Sequence, residues 1–151
     1  MISNKISDDM INIMLRQMGA DSIKTTPAHI NIAKFFIGED LRITYMYEVK
    51  EEEVYLQRVN PYPMMIGKIY NEQQVVDIIG MDLKKFRSAY NSSNFSQFVE
   101  VTNSVSAFVK EIENLFMSHN VAGKDLAEIE DALENLYALI KETAEKSPLL
   151  K

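Results

Sequence analysis

The chain contains no cysteine. That absence excludes a disulfide framework, thiolate metal sites and thiol nucleophiles together, and it fits a reducing compartment. Histidine is nearly as scarce, with only His29 and His119. Neither belongs to an HExxH pair. The residue three before His119 is Phe116, so the Glu-x-x-His unit of a di-iron bundle is missing as well. His119 falls at a helix end, where an imidazolium complements the negative pole of the dipole. The five glycines stand singly and form no GxSxG elbow, Walker loop or GxGxxG turn. No stretch approaches the roughly 20 apolar residues of a membrane span. The opening segment MISNKISDDMINIMLRQMG puts acidic residues where a signal peptide needs an apolar core. These gaps lead to the expectation of a cytoplasmic protein that is not an enzyme and uses no metal, cofactor or membrane.

What is present suffices for one folded unit. The chain has 151 residues, 46% hydrophobic and 25% charged, long enough to close a core without covalent or metal staples. Its formal net charge of −6 argues against a general polyanion binder, because nucleic-acid affinity rests on neutralising phosphates. Charge therefore favours a protein partner.

Ser7 can cap a helix whose acidic first turn suits the positive dipole end. Ile11, Met14, Leu15 and Met18 follow at helical spacing and Gly19 is placed to stop it, which predicts a helix over 8–18. The period then changes. AHINIAKFFI, LRITYMYEVK and EVYLQRVN are rich in β-branched and aromatic residues and are separated by GED and Glu51-Glu52-Glu53. In the middle run Leu41, Ile43, Tyr45, Tyr47 and Val49 face one way, and Arg42, Thr44, Met46, Glu48 and Lys50 the other. Short connections require antiparallel neighbours, so the expectation is a three-stranded meander. KFFI is apolar on both faces, which calls for a bulge or a second covering layer. Pro61 and Pro63 lack amide donors, so the sheet should end near Asn60, with Pro-Tyr-Pro a stiff strap leading off it. The prolines lie two apart, so PxxP is absent. MMIGKIY reads as a short extra strand or as more strap.

From Asn71 onwards the pattern is helical. NEQQVVDIIG has Asn71 as cap and Gly80 as stop, and MDLKKFRSAYN restarts with Asp82 as cap. Asn94 with Gln97 resembles a capping box. The long helix it opens carries Phe95, Phe98, Thr102, Val105, Val109, Ile112 and Phe116, widened by Val99, Phe108 and Leu115, as for a helix buried against a sheet. After the loop SHNVAGK, Asp125 and Glu128 make a second capping box. Leu126, Ile129, Leu133, Leu136 and Ile140 then repeat the three-four spacing of a coiled-coil or helical-hairpin seam, and Ser147-Pro148 ends it. The chain thus divides into an α+β unit over 1–119 and a loop with an amphipathic helix over 120–151, part of the same domain or a dimer seam.

Glu128, Glu130, Asp131 and Glu134 crowd that last helix, but charges opposite an apolar seam make a solvated face. Acids working as an acid–base pair need environments that split their pKa values. An enzyme using carboxylates in a pocket would need buried acids beside a cleft. Tyr45 and Tyr47 belong to the core face, Tyr55 points outwards beside Gln57, and Tyr62 sits between the prolines. The partner-binding set expected is Leu126, Ile129, Leu133, Leu136 and Ile140, with Tyr55 and Tyr62 as interface tyrosines.

QQVVDIIGMDLKKFRSAYN, residues 73–91, resembles a helix-turn-helix. Val75 and Ile79 precede Gly80 at the turn, and Phe86 and Ala89 sit where the second helix packs. The resemblance implies Lys84, Lys85 and Arg87 as contacts to phosphates or base edges, with Val76 where the family has a small alanine. The order of elements in a small, acidic, cysteine-free chain is similar to the type III secretion chaperone-like fold. That similarity implies a dimer with apolar grooves for partner segments. It departs where NSSNF leads directly into helix without two further strands, and where the C-terminal heptad helix is added. The leading expectation is α+β: an N-terminal helix, a three-stranded antiparallel meander, then helices on one sheet face with a C-terminal heptad helix. Its function is to bind a protein partner or itself. DNA binding through residues 73–91 is the alternative.

Overall fold

The computed structural model describes residues 7–149; residues 1–6, part of the segment read as lacking a leader's apolar core, lie outside them. Helix α1 (Asp8–Gln17) is capped by Ser7, whose hydroxyl accepts from the Met10 amide. It ends at Gly19, where φ is 99°. There the Gly19 and Ala20 amides turn back to the Arg16 and Leu15 carbonyls. Strands β1 (His29–Ile37), β2 (Leu41–Lys50), β3 (Glu53–Asn60) and β4 (Met64–Ile69) follow in a meander. They form one antiparallel sheet in the order β1-β2-β3-β4. Three helices complete the chain: α2 (Glu72–Tyr90), α3 (Phe95–Ser118) and α4 (Gly123–Lys146). Among the described residues no helix is long and apolar enough to cross a membrane.

The α+β arrangement stands, but the sheet has four strands. MMIGKI is the fourth, and Pro-Tyr-Pro is the turn between β3 and β4 instead of a strap leading off the sheet. A hairpin turn needs no ladder donors, so two prolines are tolerated there. The Asn60–Pro61 peptide is cis. β3 does end at Asn60, as the prolines require.

β1 holds unbroken register with β2, from His29 opposite Val49 to Ile37 opposite Leu41. KFFI therefore contains no bulge, and Phe36 stands exposed on the outer sheet face with Ile30 and Ile32. The inner face is the expected one. Ile43, Tyr45 and Leu56 are wholly buried beneath Val75, Ile79, Leu83 and Phe86 of α2.

α2 runs without a break through Gly80, so neither the stop at Gly80 nor the restart at Asp82 occurs. Asn71 caps it, accepting from the Gln73 and Gln74 amides at 2.8 and 3.3 Å. The four-residue spacing of Val75, Ile79 and Leu83 continues across the glycine, and burial of that stripe outweighs the propensity cost of about 1 kcal/mol. The two capping boxes fail as well. Asn94 and Ala122 occupy the N-cap positions of α3 and α4 without a side-chain bond, and Asp125 lies in the first turn of α4.

The largest departure concerns α3, expected to be buried against the sheet. That place belongs to α2, and neither α3 nor α4 has a single buried residue.

Candidate functional site

Arg58 shares the inward parity of Val54 and Leu56 on β3, which puts a guanidinium into the core at 3% exposure. An uncompensated charge there would be prohibitive. Its Nη1 donates to Asp82 Oδ2 at 2.6 Å, and the Tyr45 hydroxyl donates to the same oxygen at 2.6 Å. The guanidinium also lies 4.4 Å from the centroid of the Tyr62 ring and 4.8 Å from that of Phe86. Burial, reinforced by the hydrogen bond to Asp82, holds the Tyr45 hydroxyl protonated far above its ordinary range. Burial raises Tyr62 in the same direction. A tyrosine locked neutral offers no proton to exchange near pH 7. What Tyr45 and Arg58 make is a clamp joining β3 to α2, with Asp82 its keystone instead of a helix cap.

Tyr62 belongs to this core. It is buried, against the expectation of an exposed contact, and packs edge-on to Phe98 at 5.6 Å. Phe86, Phe95 and Tyr90 extend the aromatic cluster, which ties the start of α3 to the end of α2. Tyr55 does face outwards as expected, its hydroxyl 3.4 Å from Met65 Sδ on the outer sheet face.

α2 starts beside β4 and finishes over the β1–β2 turn, where the Tyr90 hydroxyl donates to Asp40. This diagonal leaves the far ends of β1 and β2 uncovered. Between them and the helix lies a groove of about 890 Å³. Its floor is Ala33, Phe35, Tyr47, Val49 and Val54, and its wall is the flank of α2 from Val75 and Val76 to Gly80 and Leu83. Glu51, Glu52, Glu53 and Glu72 close one end, and among the described residues no Lys, Arg or His lines any part of it. Glu53 is held by Lys68 at 3.0 Å, whereas Glu51, Glu52 and Glu72 are exposed to solvent. None of Arg58, Asp82 and Tyr45 reaches the groove.

The second apolar surface is on the C-terminal helices. On α3, Phe98, Val101, Val105, Phe108, Val109 and Phe116 recur at spacings that fall on one helix face, and all are exposed. Of the expected α4 seam, Leu126, Ile129 and Leu133 are half-buried, while Leu136 and Ile140 are open. Glu128, Glu130, Asp131 and Glu134 are exposed, as read from the sequence.

Lys84, Lys85 and Arg87 are exposed on α2. The helix-turn-helix geometry that would give them a recognition role is absent, because α2 has no turn at Gly80. His29 opens β1, and His119 follows α3 with Nδ1 3.3 Å from the Leu115 carbonyl. Among the described residues no group of three or more His, Asp and Glu is arranged to hold a metal.

No protein-family model matches the chain, and no curated protein or solved structure matches it at a significant level.

The clamp and the groove were both missed by sequence reasoning. Arg58 was discoverable from the inward parity of β3. The groove depends on the angle at which α2 crosses the sheet, and local sequence does not carry that.

Proposed function

We propose that this chain is a non-catalytic, chaperone-like interaction module that binds a protein partner, or a second copy of itself, through apolar helical surface. One observation carries the reading. α3 and α4 are each 24 residues long and neither has a fully buried residue, yet they expose a row of Phe and Val on one and Leu136 and Ile140 on the other. Contiguous apolar surface of this extent is rare on monomers and marks interaction sites. Of the two buried polar residues among those described, Arg58 is tied into the clamp and Thr44 carries a hydroxyl that does not titrate, and the acids of the groove stand at its exposed end, so neither set supplies acid–base chemistry. The cytoplasm, where a cysteine-free acidic chain is at home, is the compartment this reading assigns.

The test is light scattering coupled to gel filtration, with Phe108→Asp and Leu136→Asp as variants. Both positions are exposed, so both variants should retain the fold. Wild type should run above its 17.3 kDa monomer mass or retain a partner in pull-down, and the variants should not. Monomeric wild type with partners unaffected by either substitution would refute the reading.

A further inference from the structure

We propose that the groove beside α2 is a second docking site, distinct from the α3 and α4 faces, and that it takes a basic amphipathic helix of another protein. Its shape suits a helix. Four strands about 4.8 Å apart make a sheet roughly 19 Å wide, while a helix with its side chains is about 10 Å across. Two helices would cover such a face, and among the described residues α2 alone lies along this one. The groove runs beside α2 where the second would lie. From Glu72 to Leu83 its wall extends about 16 Å, or three helical turns.

Gly80 is the second indication. A glycine inside a helix is usually there for a turn, a left-handed φ or a crowded neighbour. Gly80 has none of these: α2 is continuous through it, its φ is not positive, and a Cβ would meet nothing within 4 Å. Its effect is to bare the helix backbone at the middle of the groove wall, where another helix can approach closely.

Charge decides the occupant. The apolar floor ends at Glu51, Glu52 and Glu72, with no cation among the described residues that line it. Of the chain's own helices, α2 already spends its apolar stripe on the sheet, and α1, α3 and α4 are mismatched to that end. α1 begins with Asp8 and Asp9 against a single Arg16, α3 sets Glu100, Glu111 and Glu113 against Lys110, and α4 carries seven carboxylates against three lysines. A second copy would bring acid to acid. A partner helix with apolar residues on one face and Lys or Arg at one end is complementary throughout.

The experiment is fluorescence anisotropy with a labelled Leu/Lys amphipathic peptide of roughly 15 residues, compared with its Leu/Glu counterpart. The Leu/Lys peptide should bind wild type at one saturable site and weaken as salt rises, and the Leu/Glu peptide should not bind. Gly80→Leu starts from a Cβ that meets nothing within 4 Å and carries its side chain into the groove, and it should weaken binding at least about tenfold while circular dichroism and melting temperature hold or improve. The triple variant Glu51→Gln/Glu52→Gln/Glu72→Gln should bind more weakly and lose the salt dependence. Phe108→Asp should bind as wild type does. Unchanged binding by Gly80→Leu, or equal binding of both peptides, overturns the proposal. Loss of binding in Phe108→Asp alone would place the peptide on α3, which overturns the groove site but leaves the α3 and α4 reading standing. A groove that takes anilinonaphthalene sulfonate, displaced by Gly80→Leu, and refuses the peptide is a small-molecule site, and that also overturns it.

Discussion

Arg58 of β3 and Asp82 of α2 meet at 2.6 Å beneath the helix, and this ion pair fixes where α2 sits on the sheet. The guanidinium is almost wholly buried, and Asp82 keeps only its side-chain edge in solvent. Removing one partner strands a charge, whereas removing both leaves only the neutral Tyr45 hydroxyl without its acceptor. Arg58→Met should therefore destabilise by about 2–4 kcal/mol in urea titration. The double variant Arg58→Met/Asp82→Leu should lose less than the sum of the two single changes. Strict additivity would mean that the pair does not couple strand to helix.

Gly38 and Tyr90 form a second tie, at the other end of α2. Gly38 sits at φ 63° in the β1–β2 turn, and a Cβ there would stand 2.6 Å from the Tyr90 ring. Gly38→Ala combines backbone strain with a clash and should cost about 2–3 kcal/mol. Adding Tyr90→Ala removes the clash but not the strain, so the double variant should recover part of what the sum predicts. A Gly38→Ala protein that melts like wild type would show that the turn is free to move.

The sequence revealed those elements whose signal is local. The alternation in LRITYMYEVK identified the face that buries Ile43 and Tyr45, and Gly19 and Asn71 marked helix ends by their own chemistry. What failed was decided at longer range. Gly80 reads as a stop by propensity, yet it lies inside a stripe that the sheet buries on both sides of it. The apolar row of α3 has the spacing of a core helix, and periodicity alone does not say whether a sheet or solvent faces it. Tyr62 looked exposed between prolines because nothing in PYP announces that Phe86 and Phe98 will enclose it.

Gly80 also yields a stability prediction independent of any ligand. Its would-be Cβ points into open space and its backbone is helical. Gly80→Ala should thus stabilise by about 0.8–1 kcal/mol through helix propensity alone. In a chain of this length that is a rise of roughly 2–4 °C in melting temperature, read by differential scanning calorimetry. A fall would mean that the glycine answers to a contact within this chain and not to the groove.

The clamp should also make stability fall at alkaline pH. An unfolded tyrosine releases its proton near 10.0, whereas burial and Asp82 keep Tyr45 protonated in the fold to higher pH. Below pH 10 both states hold the proton and the contribution of Tyr45 is complete. Above it the unfolded chain gives up a proton that the folded chain retains, so stability drops by about 1.4 kcal/mol per pH unit for this group. Tyr62, raised by burial, acts in the same direction, as does Tyr90, raised by its bond to Asp40. Tyr45→Phe should be less stable than wild type at neutral pH by about 1 kcal/mol, for the lost hydrogen bond. Its decline above pH 10 should nevertheless be shallower, so urea titrations at rising pH should bring the two proteins together. Parallel declines would show that Tyr45 ionises in the fold as readily as in the unfolded chain, and that Asp82 does not hold its proton.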